Sequence, residues 1–142
     1  MKKRKLETEI QFDFTLLGLI TSMKEYTLAW HINKTLEVEL VKEKDIEIEF
    51  ISKSNILISN YLHHSMHCYY RILRNKSINQ FDDENAYIVP ELRRFDFLLL
   101  AKGYEDTVTL DELKKRIGSI PKVQFVQAFA VDKLKSRENL IF

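Results

Sequence analysis

Apolar and polar positions change rhythm along this chain, and the changes divide it into elements. Near the start Ile10, Phe12 and Phe14 alternate with Gln11 and Asp13, the period-two pattern of a strand. The cluster Leu16-Leu17-Gly18-Leu19-Ile20 follows and fits either a buried strand or a helix segment. Ser22-Met23-Lys24-Glu25 then has the form of a capping box: the Ser hydroxyl accepts from the N–H three residues on, and the Glu carboxylate reaches back to the Ser N–H. The helix it predicts runs to about Leu36. Tyr26, Ala29, Trp30 and Asn33 share one stripe of it and Leu28, Ile32 and Leu36 an adjacent one, which together predict a broad buried face.

From Leu36 the rhythm returns to two, through Val38 and Leu40, and again at Ile46, Ile48 and Phe50 against Glu47 and Glu49, a half-exposed strand. Ser52 to Asn55 predicts a turn. Ile56 to Leu62 and Met66 to Leu73 predict two more strands. Asn75 to Asn85 is polar and reads as a loop with Asp82-Asp83-Glu84 as a solvated tip, and Tyr87 to Val89 is extended, the state favoured before a proline. After Pro90 a short turn leads into a strand from Phe95 to Lys102, closed by Gly103. Thr109-Leu110-Asp111-Glu112 is a second capping box, and its helix ends at Gly118, a residue suited to a left-handed cap, with Pro121 blocking continuation. Val123 to Val131 reads as a strand with both faces mostly covered. The tail from Lys133 ends in Leu140-Ile141-Phe142, apolar enough to need a docking place.

Short links between the middle strands favour antiparallel pairing, since parallel pairing needs long crossovers. The expected architecture is α+β: a single, mostly antiparallel sheet of about five to six strands with two main helices packed on one face. With 142 residues and no linker-like or repeated stretch, residues 1–142 read as a single domain, residues 1–8 forming a flexible basic N-terminus.

Charge narrows the partners. Lys and Arg total 22 against 21 Asp and Glu, a net charge of +1, so the surface is not built wholly for nucleic acid or anionic membrane. Tyr69-Tyr70-Arg71 and Arg93-Arg94-Phe95 set aromatics beside cations, as single-strand binders do, but alternation points their rings inward. The basic start Lys2-Lys3-Arg4-Lys5 meets Glu7, Glu9 and Asp13 instead of the apolar core of a signal peptide, and the longest apolar run, Phe97 to Ala101, is strand-sized. With Cys68 alone no intrachain disulfide forms. The expected location is the cytoplasm, without membrane contact.

Catalytic patterns are missing. Neither a G-x-S-x-G elbow nor a C-x-x-C pair occurs, and no two glycines stand close enough for a phosphate loop. His63-His64-Ser65-Met66-His67-Cys68 gathers metal-ligand residue types. On a strand it splits His63 and His67 from His64 and Cys68, so each face offers two ligands where a zinc site needs three or four. This cluster reads as a hairpin tip with incidental histidines, and no cofactor or metal is expected.

The segment Val89-Pro90-Glu91-Leu92-Arg93-Arg94-Phe95-Asp96-Phe97 combines constraint and charge. Pro90 fixes a backbone angle and Glu91 follows where N–H groups are free. Phe95, Phe97 and Leu99 are expected on one strand face and Asp96, Leu98 and Leu100 on the other, which leaves Asp96 part-buried and in need of a partner such as Arg71, Arg74, Arg93 or Arg94. These residues resemble the signature of the IPExxxVDY family, small bacterial proteins without an assigned activity. Pro90, Glu91 and Asp96 match it, while Val89 stands for Ile, Phe95 for Val and Phe97 for Tyr. The resemblance extends to Phe12-Asp13-Phe14, to Tyr26-Thr27-Leu28-Ala29-Trp30 with Asn33, and to the tail from Ser136 to Phe142. It implies a stand-alone bacterial domain and brings no catalytic residues.

The function expected on these grounds is that of a non-catalytic interaction or regulatory domain that self-associates or binds a protein partner. The alternative is a small-ligand binder or enzyme with a pocket near Trp30, Asn33 and Asp96.

Overall fold

The computed structural model of the chain describes residues 12–50, 54–79 and 86–142. Six strands, β1 (Thr15–Thr21), β2 (Val41–Ile48), β3 (Ile56–His64), β4 (Tyr69–Arg74), β5 (Phe97–Lys102) and β6 (Val123–Phe129), form one sheet in the order β2-β3-β4-β5-β1-β6. Every neighbouring pair is antiparallel. Helix α1 (Glu25–Leu36) carries the chain from β1 across to the far edge, and α2 (Leu110–Gly118) links β5 to β6. This is the expected α+β architecture with both helices on one face.

The ambiguous cluster Leu16 to Ile20 is the middle of β1, and its apolar character on both faces follows from its place between β5 and β6. Leu17 and Leu19 enter a core under the helices, with Leu28, Ala29 and Ile32 of α1 and Leu113 and Ile117 of α2. Leu16 faces the opposite layer with Ile56, Ile58, Leu98 and Leu100. Among the described residues no α-helix covers that second face. The loop at Ile88, Val89, Leu92 and Phe95 covers it, together with Val131, Leu134 and Leu140 of the tail. Each such fully buried aliphatic side chain contributes about 1.5–3 kcal/mol relative to exposure. Gly18 on this face is required by packing. A Cβ there would stand 2.7 Å from the Phe95 ring and 2.8 Å from that of Phe129, and those rings meet edge to face at 5.0 Å.

Several local expectations change. Ile10 and Gln11 lie outside the described residues, and the first strand starts only at Thr15. Residues 51–53 of the predicted turn and 80–85, with the acidic tip, are likewise outside. The Ser22 capping box does not form. Lys24 is the N-cap of α1 and makes no side-chain cap bond. Thr21 takes the local role, its hydroxyl accepting from Met23 N–H at 3.2 Å and donating to the Lys122 carbonyl at 2.8 Å, while Glu25 is drawn to Ser59. The Thr109 box does form, with Glu112 N–H donating to the Thr109 hydroxyl and Thr109 N–H to the Glu112 carboxylate. Gly118 stays helical, and the reversal after Pro121 falls on Lys122 at φ 74°. α1 buries a narrower stripe than expected. Tyr26 and Trp30 are 62% and 55% exposed because the helix meets the sheet along one side only.

β6 is an edge strand, not one covered on both faces: Gln124, Phe125 and Gln127 are exposed. A register shift opposite Ile20 and Thr21 skips Gln124, so Val123 and Val126 both reach the helix-side core despite their odd spacing.

Candidate functional site

The segment from Ile88 to Phe97 is built around a residue the sequence reading had placed in a plain polar loop. Asn75, at the exit of β4, is fully buried. Its amide nitrogen donates to the carbonyls of Val89 (3.4 Å), Leu92 (2.9 Å) and Phe95 (3.2 Å), and its amide oxygen accepts from Val89 N–H (3.0 Å). Its main chain adds bonds to the Asp96 carbonyl and from Ile88 N–H. One side chain thus saturates the inside of a turn whose own carbonyls point inward, as a buried irregular segment demands. Pro90 opens a 3-10 turn, Pro90–Leu92, in its first position, where its missing donor costs nothing.

The two carboxylates of the motif each have an architectural partner. Glu91 accepts the Ser136 N–H and the Ser136 hydroxyl, both at 2.8 Å, and so clasps the tail to the turn. Burial works to raise this carboxyl, but the Ser136 bonds, with the backbone N–H groups of Glu91 and Lys135, outweigh it and hold Glu91 below the usual carboxylate range. Asn139 reinforces the clasp by donating to the Ile88 carbonyl at 2.8 Å. Asp96 accepts Thr21 N–H at 3.0 Å, and its own N–H donates to the Leu19 carbonyl, tying the entrance of β5 to the end of β1.

Asp96 is exposed, not part-buried among leucines. The chain is still turning at Phe95, so the strand alternation starts at Phe97. Phe95 joins Leu98 and Leu100 on the loop-covered face, and Phe97 joins Leu99 on the helix side, buried to 4%. None of the four arginines forms an ion pair with Asp96: the ion pairs among the described residues are Lys42–Asp45 and Lys102–Asp13. Arg71 is on the other side of the network, bonded to Asn60 and Tyr69.

Asp96 does line a cleft of about 250 Å3 at the end of the sheet where β4 leaves and β5 enters. Arg74, Lys76 and Arg93 surround it, with Ser22 and Tyr87 on the rim and Met23, Phe95 and Phe97 behind. Trp30 and Asn33 are not part of it. Trp30 lies exposed on α1 with the Lys34 ammonium over its ring at 4.6 Å. Asn33 exchanges two bonds with Leu40, pinning the exit of α1 to the approach of β2. The pocket expected from Trp30, Asn33 and Asp96 together is therefore not assembled.

The histidine cluster is the β3–β4 hairpin tip. His63 and His64 end β3, and Ser65 organises the reversal by bonding His67 N–H, Cys68 N–H and the Cys68 carbonyl. His63 is spent on Glu39 N–H at 3.1 Å. No group of three or more His, Cys, Asp or Glu among the described residues could hold a metal ion. A second polar cluster lies under the start of α1. Lys42 donates to the Ser59 hydroxyl at 2.7 Å, and Ser59 donates to Glu25, whose other oxygen is buried without a partner. Burial raises the Glu25 carboxyl above its usual range against the Ser59 bond and the charges of Lys42 and Arg74.

The two sheet edges differ in chemistry. β2 carries Lys42, Glu43, Lys44, Asp45 and Glu47 and a register shift between Glu43 and Ile46, the devices that protect an edge from further pairing. β6, Val-Gln-Phe-Val-Gln-Ala-Phe, has no charge, and Phe125 on it is 46% exposed. A groove of about 430 Å3 runs between this edge and α2, floored by Val123, Phe125 and Val126 and walled by Asp111, Lys114 and Lys115.

Fold and surface thus define an α+β domain whose sheet is open at one uncharged edge. No family model matches the chain, and no curated protein or solved structure does either. No helix among the described residues is long and apolar enough to cross a membrane.

Proposed function

We propose that the chain is a protein-interaction domain that self-associates, the β6 edges of two copies pairing antiparallel about Val126 to continue the sheet from one copy into the next. The observation that carries this reading is the contrast between the two edges, since a strand without charge or proline, and uncovered among the described residues, is a template for another strand. The sequence Val123 to Phe129 is compatible with its own reverse. Centred on Val126, it sets Phe125 against Gln127 of the second copy and Val123 against Phe129, with no like charges opposed. The resemblance of Val89 to Phe97 to the IPExxxVDY signature supports a small bacterial domain.

Light scattering on the wild type, against Gln124→Lys/Gln127→Lys, tests the pairing. Both glutamines are exposed, so the fold, followed by far-ultraviolet circular dichroism, is retained. The wild type runs as a dimer at about 10–100 μM, a range suited to a modest interface, and the variant runs as a monomer. A wild type that is monomeric across that range, or a variant that stays dimeric, overturns the proposal.

A further inference from the structure

Away from the β6 edge, the cleft at the entrance of β5 gathers positive charge. Three cations of separate segments converge there: Arg74 from the end of β4, Lys76 two residues on, and Arg93 from the turn after Pro90. None of the three side chains is held by an ion pair, and none makes a hydrogen bond among the described residues. By contrast, Arg71 bonds Asn60 and Tyr69, and Lys42 bonds Ser59 and Asp45. Arg74, Lys76 and Arg93 line one concavity. Three positive charges around one concavity raise the local potential and make it attractive to an anion.

The opposing charges are few. Asp96 lines the cleft, but one of its oxygens is taken by Thr21 N–H, and Glu25 lies within electrostatic reach of Arg74 alone among the three. Ser22, left out of the α1 cap, and Tyr87 add hydroxyls on the rim. Guanidinium forks suit the paired oxygens of a phosphate, and an ammonium adds a point charge. At about 250 Å3 the cleft is too small for a folded partner, and Met23, Phe95 and Phe97 add apolar groups to its lining. We infer that this cleft binds a phosphate group, free or carried as a monoester on a small organic molecule, with Arg74, Lys76 and Arg93 as its ligands.

Isothermal titration calorimetry with inorganic phosphate and with phenyl phosphate, against chloride as control, reads the site directly. The expected result is saturable binding of phosphate that weakens with added salt. Arg93→Ala and Arg74→Gln each weaken it by roughly tenfold, the loss of one charge-assisted contact. Both arginines are exposed, so these variants keep their fold by circular dichroism. Asp96→Asn removes the opposing charge and tightens binding, a change of sign that mere damage to the site does not produce. Tighter binding of phenyl phosphate than of phosphate assigns the site to a monoester, and equal binding assigns it to the free ion. No saturable binding of either, or binding that Arg93→Ala and Arg74→Gln leave unchanged, overturns the inference.

Discussion

Replacing Asn75 by Ala removes a side chain that touches no solvent and serves four backbone groups. Two of those groups have other partners: the Leu92 carbonyl also accepts Phe95 N–H, and the Val89 carbonyl accepts Leu92 N–H. The other two, Val89 N–H and the Phe95 carbonyl, have none besides Asn75 among the bonds of the described residues, and both belong to buried residues. A buried polar group deprived of its partner costs about 1–3 kcal/mol. Two of them, partly relieved by relaxation or an entering water, give an expected loss of about 3 kcal/mol, a large part of the roughly 5–15 kcal/mol that holds a domain together. Urea titration gives this loss directly, and thermal melting shows it as a fall of roughly 10 °C. Asn75→Asp is at least as harmful above about pH 5, because an ionised carboxylate then faces three carbonyl oxygens. A loss for Asn75→Ala below about 1 kcal/mol refutes the reasoning, for it means that the apolar contacts of Ile88, Val89 and Leu92 suffice to shape the turn.

Two carboxylates set opposite pH dependences. Glu91 has a folded pKa below its unfolded one, so its contribution is complete above the unfolded value and is lost as pH falls through the folded one. Urea midpoints of the wild type therefore drop below about pH 4 more steeply than those of Glu91→Gln, and hydrogen exchange at the Ser136 amide is faster in that variant at every pH. Glu25 has a folded pKa above its unfolded one, so what it contributes is complete below the unfolded value and is lost as pH rises through the folded one. Glu25→Gln consequently flattens the decline in urea midpoint that sets in above the unfolded carboxylate range, and an unchanged decline shows that another group causes it.

The sheet was legible in the sequence wherever one face is wet and the other dry. The alternation around Ile46 and Ile48, the hairpin from Ile56 to Leu73 and the Thr109 capping box all depend on neighbours a few residues apart. The features that were not legible depend on distance. Asn75 resembles any other loop asparagine until residues 88–96 fold around it, because the partners of its side chain lie up to 20 positions away. The Ser22 box has the right spacing, yet Glu25 goes to Ser59, 34 positions on, and Thr21 to Lys122. Phe95 changes face because a turn, not a strand, precedes Phe97. The open edge of β6 was half visible: a run of seven residues without charge was there to read, but its place at the border of the sheet is a matter of topology. Of the candidate site, Asp96, Arg74 and Arg93 stand out in the sequence as a carboxylate and its candidate partners. Lys76 and the cleft that all four line do not, since the exit of β4 and the entrance of β5 meet only through pairing.

The position of β1 bears on how the molecule comes into being. The first of the described strands to be synthesised, β1, has both its partners in later parts of the chain, Thr15 pairing with Ala101 and Leu16 with Phe129. Until β5 has been synthesised, the run Leu16 to Ile20 has no sheet partner among the described residues. Sheet closure with such sequence separation is slow, because the loop entropy is lost before the contacts are gained. The nascent chain therefore carries an adhesive segment through much of its synthesis, and the antiparallel run of β2, β3 and β4 is the first part of the sheet able to settle, as a platform waiting for β5 and then β1.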